Sequence, residues 1–160
     1  MTLHTGSPYQ DRDVTLSAPV ARLILAAGHA DDVRESVKGW LRRAEMDEDI
    51  YYFSIHADEE LVGQIFLHDI DETAGEALVG YHLFDYQARG RGVGTKALQL
   101  LQRFVQTETT LKRLILITSA DNAASRRAAE KASFTYVGSP REDPTGVLLT
   151  WSTCPSPNQP

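Results

Sequence analysis

The sequence predicts a mixed α/β domain: a mostly antiparallel sheet with one parallel strand pair, flanked by helices. Three observations carry this. Segments of period two and segments of helical period follow one another in the order β-α-β-β-β-α-β-α-β-β. Short polar turns at residues 58–60 and 71–76 join neighbouring strand segments as antiparallel hairpins. One strand, at residues 77–83, reaches the next strand, at 114–118, only through a helix, and such a crossover makes a parallel pair.

The elements follow in order. Residues 1 to about 11 are polar and rich in turn formers, and read as a loose arm. Residues 14–16 and 21–26 read as an early strand or hairpin around Pro19. His29, Ala30, Asp31 and Asp32 offer a helix start. Val33, Val37, Trp40, Leu41 and Ala44 continue it at helical spacing until the acidic run at 45–49. Residues 50–57 and 61–70 are the next strands. After the 77–83 strand, Val93, Ala97, Leu98, Leu101, Phe104 and Val105 form one apolar stripe of a helix. Residues 114–118 are a β-branched apolar run suited to a strand buried on both faces. Asp121 and Asn122 open a short helix over 123–131, and strands at 134–138 and 146–151 close the fold. From Ser152 onward Ser, Pro, Asn and Gln predict disorder. The expected organisation is one domain over 1–160 with its core at about 14–152.

Composition narrows the function. A net charge of −6 argues against a nucleic-acid binder working through bulk charge, and favours a neutral or cationic partner. The one cysteine, Cys154, cannot form an internal disulfide, which suggests a reducing, cytoplasmic setting. No apolar run approaches the roughly 20 residues that span a bilayer. No metal is called for. The oligomeric state is left open, a homodimer included.

The most informative stretch is Arg89-Gly90-Arg91-Gly92-Val93-Gly94-Thr95, between a strand and an amphipathic helix. Glycines let the backbone turn tightly and approach a ligand. The helix start offers unpaired N–H groups and the positive end of a dipole, a place to hold phosphate. A plain strand-to-helix turn would also use glycines. A P-loop needs Gly-Lys-Ser/Thr, and here Thr95 precedes Lys96. A dinucleotide fingerprint needs a third glycine where Thr95 stands, near the start of a domain.

Arg89-x-x-Gly92-x-Gly94 resembles the Arg/Gln-x-x-Gly-x-Gly/Ala signature of the GNAT family, the GCN5-related N-acetyltransferases. Asn122-Ala123-Ala124-Ser125 through Glu130-Lys131-Ala132-Ser133-Phe134 resembles that family's Asn-x-x-Ser-x-x-x-x-Glu-Lys-x-Gly-Phe segment, in the wording of the RimJ/RimL-like branch. Ser133 departs from it, standing where glycine is usual. The resemblance implies a sheet in which the parallel strands splay, and acetyl-CoA as donor. Its pyrophosphate would rest on the N–H groups of Gly90, Arg91, Gly92, Val93, Gly94 and Thr95, with Arg89 and Arg91 adding charge. Leu83 and Phe84 would mark the strand end that pairs with pantetheine, and Asn122 would contact it or fix the strand end.

The implied reaction is direct transfer of acetyl to a primary amine, on a protein or peptide N-terminus or a small molecule. A base must take the amine's proton and an acid must meet the departing thiolate. Glu76, at the start of the strand leading to the loop, is the expected base, with a water chain, His82, His68 and Asp85 behind it. Ser125 is the expected acid, although a helix-start hydroxyl also caps backbone N–H groups. A non-catalytic acyl-CoA-binding module is the alternative.

Overall fold

The computed structural model describes residues 2–3, 9–11, 13–17, 31–46, 50–84 and 90–153. Among the described residues nine strands form one sheet: β1 (Thr2–Leu3), β2 (Tyr9–Asp11), β3 (Val14–Ser17), β4 (Tyr51–Ala57), β5 (Glu60–Asp71), β6 (Glu76–Leu83), β7 (Arg113–Ser119), β8 (Thr135–Gly138) and β9 (Gly146–Ser152). The described helices are α1 (Asp31–Met46), α2 (Val93–Glu108) and α3 (Ala123–Lys131). The strand path is β2-β3-β4-β5-β6-β7-β9-β8, with β6 and β7 the parallel pair on it. The two-residue β1 lies beside β4, also in parallel.

The expected mixed, mostly antiparallel sheet is therefore present. The arm expected before residue 12 differs: Tyr9–Asp11 form β2, paired antiparallel with β3, and Thr2–Leu3 form β1. Backbone pairing with β4 and β3 places these two short segments, which have no apolar periodicity to announce them. The 21–26 strand and the tail beyond residue 153 lie outside the described residues.

Strand alternation builds two cores on opposite faces. Phe53, Ile55, Ile65, Leu67, Ala77 and Val79 face α2, whose Ala97, Leu98, Leu101, Phe104 and Val105 are buried against them. Their neighbours Tyr52 and Phe66 face the other way, and pack with Val37, Leu41 and Ile50 under α1. Each such fully buried side chain stabilises the fold by about 1.5–3 kcal/mol. Tyr52, Phe66 and Trp40 form a ring stack, with centroids 5.3 and 4.5 Å apart. Tyr52 and Phe66 are core, and the partly buried Trp40 packs against them. Gln102 of α2 ties the helices together: its amide donates to the Ala132 carbonyl at the end of α3, at 2.6 Å.

Candidate active site

β6 and β7 pair only from Glu76 opposite Arg113 to Val79 opposite Leu116. Beyond that, each holds to its outer neighbour. β6 stays with β5 as far as Leu83 opposite Gly63, and β7 stays with β9 as far as Ser119 opposite Gly146. The two strands therefore part at Gly80 and Ile117 and open a wedge in the middle of the sheet.

The glycine loop leads from the open end of β6 into α2. Gly90 and Gly92 sit at φ 76° and 78°. A side chain in that left-handed region costs roughly 1–2 kcal/mol. Space is not the constraint there, because a Cβ on either glycine would meet nothing within 4 Å. Gly92 is the N-cap of α2; among the described residues no side chain caps it, and no acidic residue stands in the first turn. The N–H groups of that turn are thus left without a side-chain cap among the described residues, at the positive end of the helix dipole. Gly90, Arg91, Gly92, Val93, Gly94 and Thr95 come together here, while Arg89 lies outside the described residues.

Two cations flank the loop. Arg91 lies 3.4 Å from Asp58 at the surface, and Lys96 Nζ lies 2.7 Å from Asp13 Oδ1. The hydrogen bond from Lys96 holds the Asp13 carboxyl below the usual carboxylate range, with the charges of Lys96 and Arg91 adding to it. Lys96 was not among the residues singled out from the sequence, because a reversed Thr-Lys order fits no P-loop.

Leu83 ends β6, and Phe84 follows it; the two anchor the strand end on opposite faces. Leu83 packs with the α2 core and Phe84 with the α1 core. The Phe84 N–H donates to the Val62 carbonyl at 2.7 Å.

Ser125 stands in the first turn of α3. Asn122 Oδ1 accepts its backbone N–H at 3.1 Å, so the Asn122 side chain caps the helix and fixes where Ser125 stands. The Ser125 hydroxyl is buried and meets the Tyr81 phenol at 3.1 Å. Tyr81 lies on the opened part of β6, and a Cβ on Gly94 would sit 3.6 Å from its ring. One tyrosine therefore touches strand, loop helix and α3 together. Burial pushes its phenol pKa up, partly opposed by the Ser125 hydrogen bond. Sequence reasoning missed Tyr81 because it reads as ordinary strand packing. The available signal was alternation, which puts it on the face of Ala77 and Val79, the α2 side.

His82, next along the strand, takes the opposite face. Its Nδ1 lies 3.0 Å from the Gln64 side-chain nitrogen. Gln64 is fully buried, and its Oε1 has no hydrogen-bond partner in this orientation of the amide. The tautomer of His82 sets which of the two side chains donates in this contact.

Glu76, the expected base, stands away from the opened part of the wedge. It begins β6 at the closed end of the parallel pair, and its carboxylate lies 2.9 Å from the Arg113 guanidinium. Four residue steps of strand, roughly 13 Å, separate it from Gly80, where the wedge opens. His68 is also remote from the loop. It packs on Trp40 with ring centroids 4.5 Å apart and pairs with Asp69. Asp85 lies outside the described residues.

Among the described residues no group of His, Cys, Asp or Glu converges to hold a metal ion, and no helix is long and apolar enough to cross a membrane. A family model, the Acetyltransferase (GNAT) domain, matches residues 9–135. The chain belongs to the GNAT acetyltransferase family. Two Bacillus subtilis proteins are similar to it. YjcK, named for N-acetyltransferase activity, is 32% identical over 113 residues, covering 69% of this chain and 61% of its own length. YdaF, named for ribosomal N-acetyltransferase activity, is 28% identical over 113 residues, 71% of this chain and 61% of its own. The chain thus spans about three fifths of the length of both, 61% in each case. Among solved structures, Mycobacterium smegmatis RimJ in complex with CoA-disulfide shares the fold at a TM-score of 0.69 and 23% identity, over 88% of this chain and 82% of that one. With the segment from Asn122 to Phe134, these similarities put the GNAT chain in the RimJ/RimL-like branch.

Proposed function

We propose that this chain transfers an acetyl group from acetyl-CoA to a primary amine. The observation that carries the reading is the wedge between β6 and β7, ending on an uncapped, glycine-built helix terminus. A long thin donor with an anionic end suits that shape. The pyrophosphate rests on the N–H groups from Gly90 to Thr95, with Arg91, Lys96 and Arg89 supplying charge. Pantetheine lies along the opened edge of β6 towards Leu83 and Phe84, near the α3 start that Asn122 holds.

Transfer is direct. An alkylamine is mostly protonated at neutral pH, with a pKa of roughly 10. His82, on the opened strand and on the face away from α2, takes the proton once the amine is bound. The amine nitrogen attacks the acetyl carbonyl carbon, and a backbone N–H of the opened strand steadies the oxyanion. The carbon–sulfur bond then breaks, with its electron pair on sulfur. Ser125 donates a hydrogen bond to that sulfur, and the thiolate is protonated from water. A peptide N-terminus and a small amine both meet these demands, and the net charge of −6 favours either as a cation. A cytoplasmic location accompanies this reading, supported by the single cysteine.

The test is thiol release from acetyl-CoA across a panel of amines and peptides, with acetylated product weighed by mass spectrometry. Stoichiometric thiol and acetyl-amine support the reading. CoA binding without release across the panel favours the non-catalytic acyl-CoA module. Absence of CoA binding removes both.

A further inference from the structure

We infer that Tyr81 is a positioning residue for Ser125, holding the serine hydroxyl so that its proton is presented to the sulfur that leaves. The inference rests on the acetyl-transfer reading above.

The geometry is specific. Tyr81 is on the part of β6 that has left β7, and Ser125 is on the helix that follows β7. Their oxygens meet at 3.1 Å, so the contact joins the two strands' sides of the wedge just where the ladder between them has ended. The Ser125 backbone N–H is already taken by Asn122, which fixes the residue but leaves the hydroxyl to be oriented by something else.

Hydrogen-bond accounting then sets the direction. A serine hydroxyl has one proton to give and two lone pairs to offer. A phenol is the more acidic partner, so Tyr81 donates and a Ser125 lone pair accepts. The Ser125 proton is thereby turned away from Tyr81. Neither hydroxyl has a second partner among the described residues. Burial keeps the phenol protonated well above neutral pH, so it remains a donor throughout the working range. Donation into Ser125 also polarises its O–H and makes it the better donor to a thiolate. No proton need leave either residue. The electron pair of the broken carbon–sulfur bond goes to sulfur, the amine's proton goes to His82, and water finally protonates the thiolate.

A packing role alone would rest on the ring, not on the oxygen. Tyr81→Phe keeps the ring against Gly94 and removes the oxygen. The experiment compares wild type, Tyr81→Phe, Ser125→Ala and the double variant, with acetyl-CoA and the amine that reacts best in the panel. Turnover, the KM for each substrate and the affinity for CoA are all measured. Tyr81→Phe is expected to lower kcat about tenfold, a fraction of the hundredfold or more that direct acid catalysis supplies. KM and CoA affinity should stay within about twofold. In the Ser125→Ala background the same change should have no further effect, because the residue it positions is gone. A Tyr81→Phe enzyme with wild-type kcat overturns the inference. So does an equal loss in both backgrounds, or a loss of CoA binding, each of which makes the phenol oxygen structural. A wild-type protein that releases no thiol fails the acetyl-transfer reading instead, so the two failures are distinct.

Discussion

Replacing Ser133 by glycine should stabilise the protein. Ser133 follows the C-cap of α3 at φ 69°, in the left-handed region. Its N–H donates to the Glu130 carbonyl at 3.0 Å, and the Phe134 N–H donates to the Ala129 carbonyl at 2.9 Å. This is a Schellman ending, whose pivotal position glycine fills without strain. The serine Cβ costs about 1–2 kcal/mol there. Glycine gives part of that back by freeing the unfolded chain, about 0.5–1 kcal/mol. The serine is exposed, and its hydroxyl makes no hydrogen bond to a described residue, so nothing else is lost. The net gain is about 0.5–1 kcal/mol. For a chain of this size that raises Tm by about 1–4 °C. Urea unfolding should show a higher midpoint with an unchanged slope. A lower midpoint would refute the argument, because it would mean that the serine side chain contributes more than its backbone strain costs.

Two further outcomes follow from the same structure. Glu76→Gln breaks a half-exposed ion pair with Arg113 far from the wedge, so it should leave kcat and the pH–rate profile unchanged and cost at most about 1 kcal/mol of stability. A tenfold fall in kcat would return Glu76 to the chemistry. Burial holds the pKa of both His56 and His68 below the ordinary histidine value, with Asp69 partly opposing this at His68. The unfolded chain therefore binds more protons just below pH 6.5, and stability present above about pH 6.5 is lost as the pH falls through that value. Thermal melts from pH 7.5 to 5 should show Tm falling, and less steeply in His68→Gln; a Tm that rises over that range contradicts the assignment.

Local patterns carried most of the fold. The period-two segments that became β4, β5 and β6 have apolar side chains on alternating faces, whereas β7, expected to be buried on both faces, buries Leu114 and Leu116 and leaves Ile117 exposed. The stripe from Val93 to Val105 matches the buried face of α2. β1 and β2 escaped because their order comes from pairing with β3 and β4, a long-range fact that polar residues do not encode locally. The loop was legible because a left-handed helix entry restricts residue choice, and Gly90 and Gly92 show that restriction directly. Ser133 was visible as a departure, and its positive φ explains why glycine is the usual occupant. The chemistry was harder to read. Glu76 looked suited because it starts the right strand, but only the register shows that the wedge opens at the other end. Tyr81 and Gln64 gain meaning from partners 44 and 18 residues away, and spacing along one strand cannot show that.

The central claim is that the helix entry at Gly90 and Gly92 holds the pyrophosphate of the donor. Calorimetric titration of CoA into the wild type and Gly92→Glu tests it most directly. The variant puts a carboxylate beside the phosphates, worth about 1–4 kcal/mol per charge pair at 4 Å, against more than one phosphate charge. Saturable binding by the wild type and at least about a hundredfold weaker binding by the variant are predicted, since every 1.4 kcal/mol is about tenfold. Equal affinity in the two proteins would contradict the claim and move the donor's phosphates elsewhere.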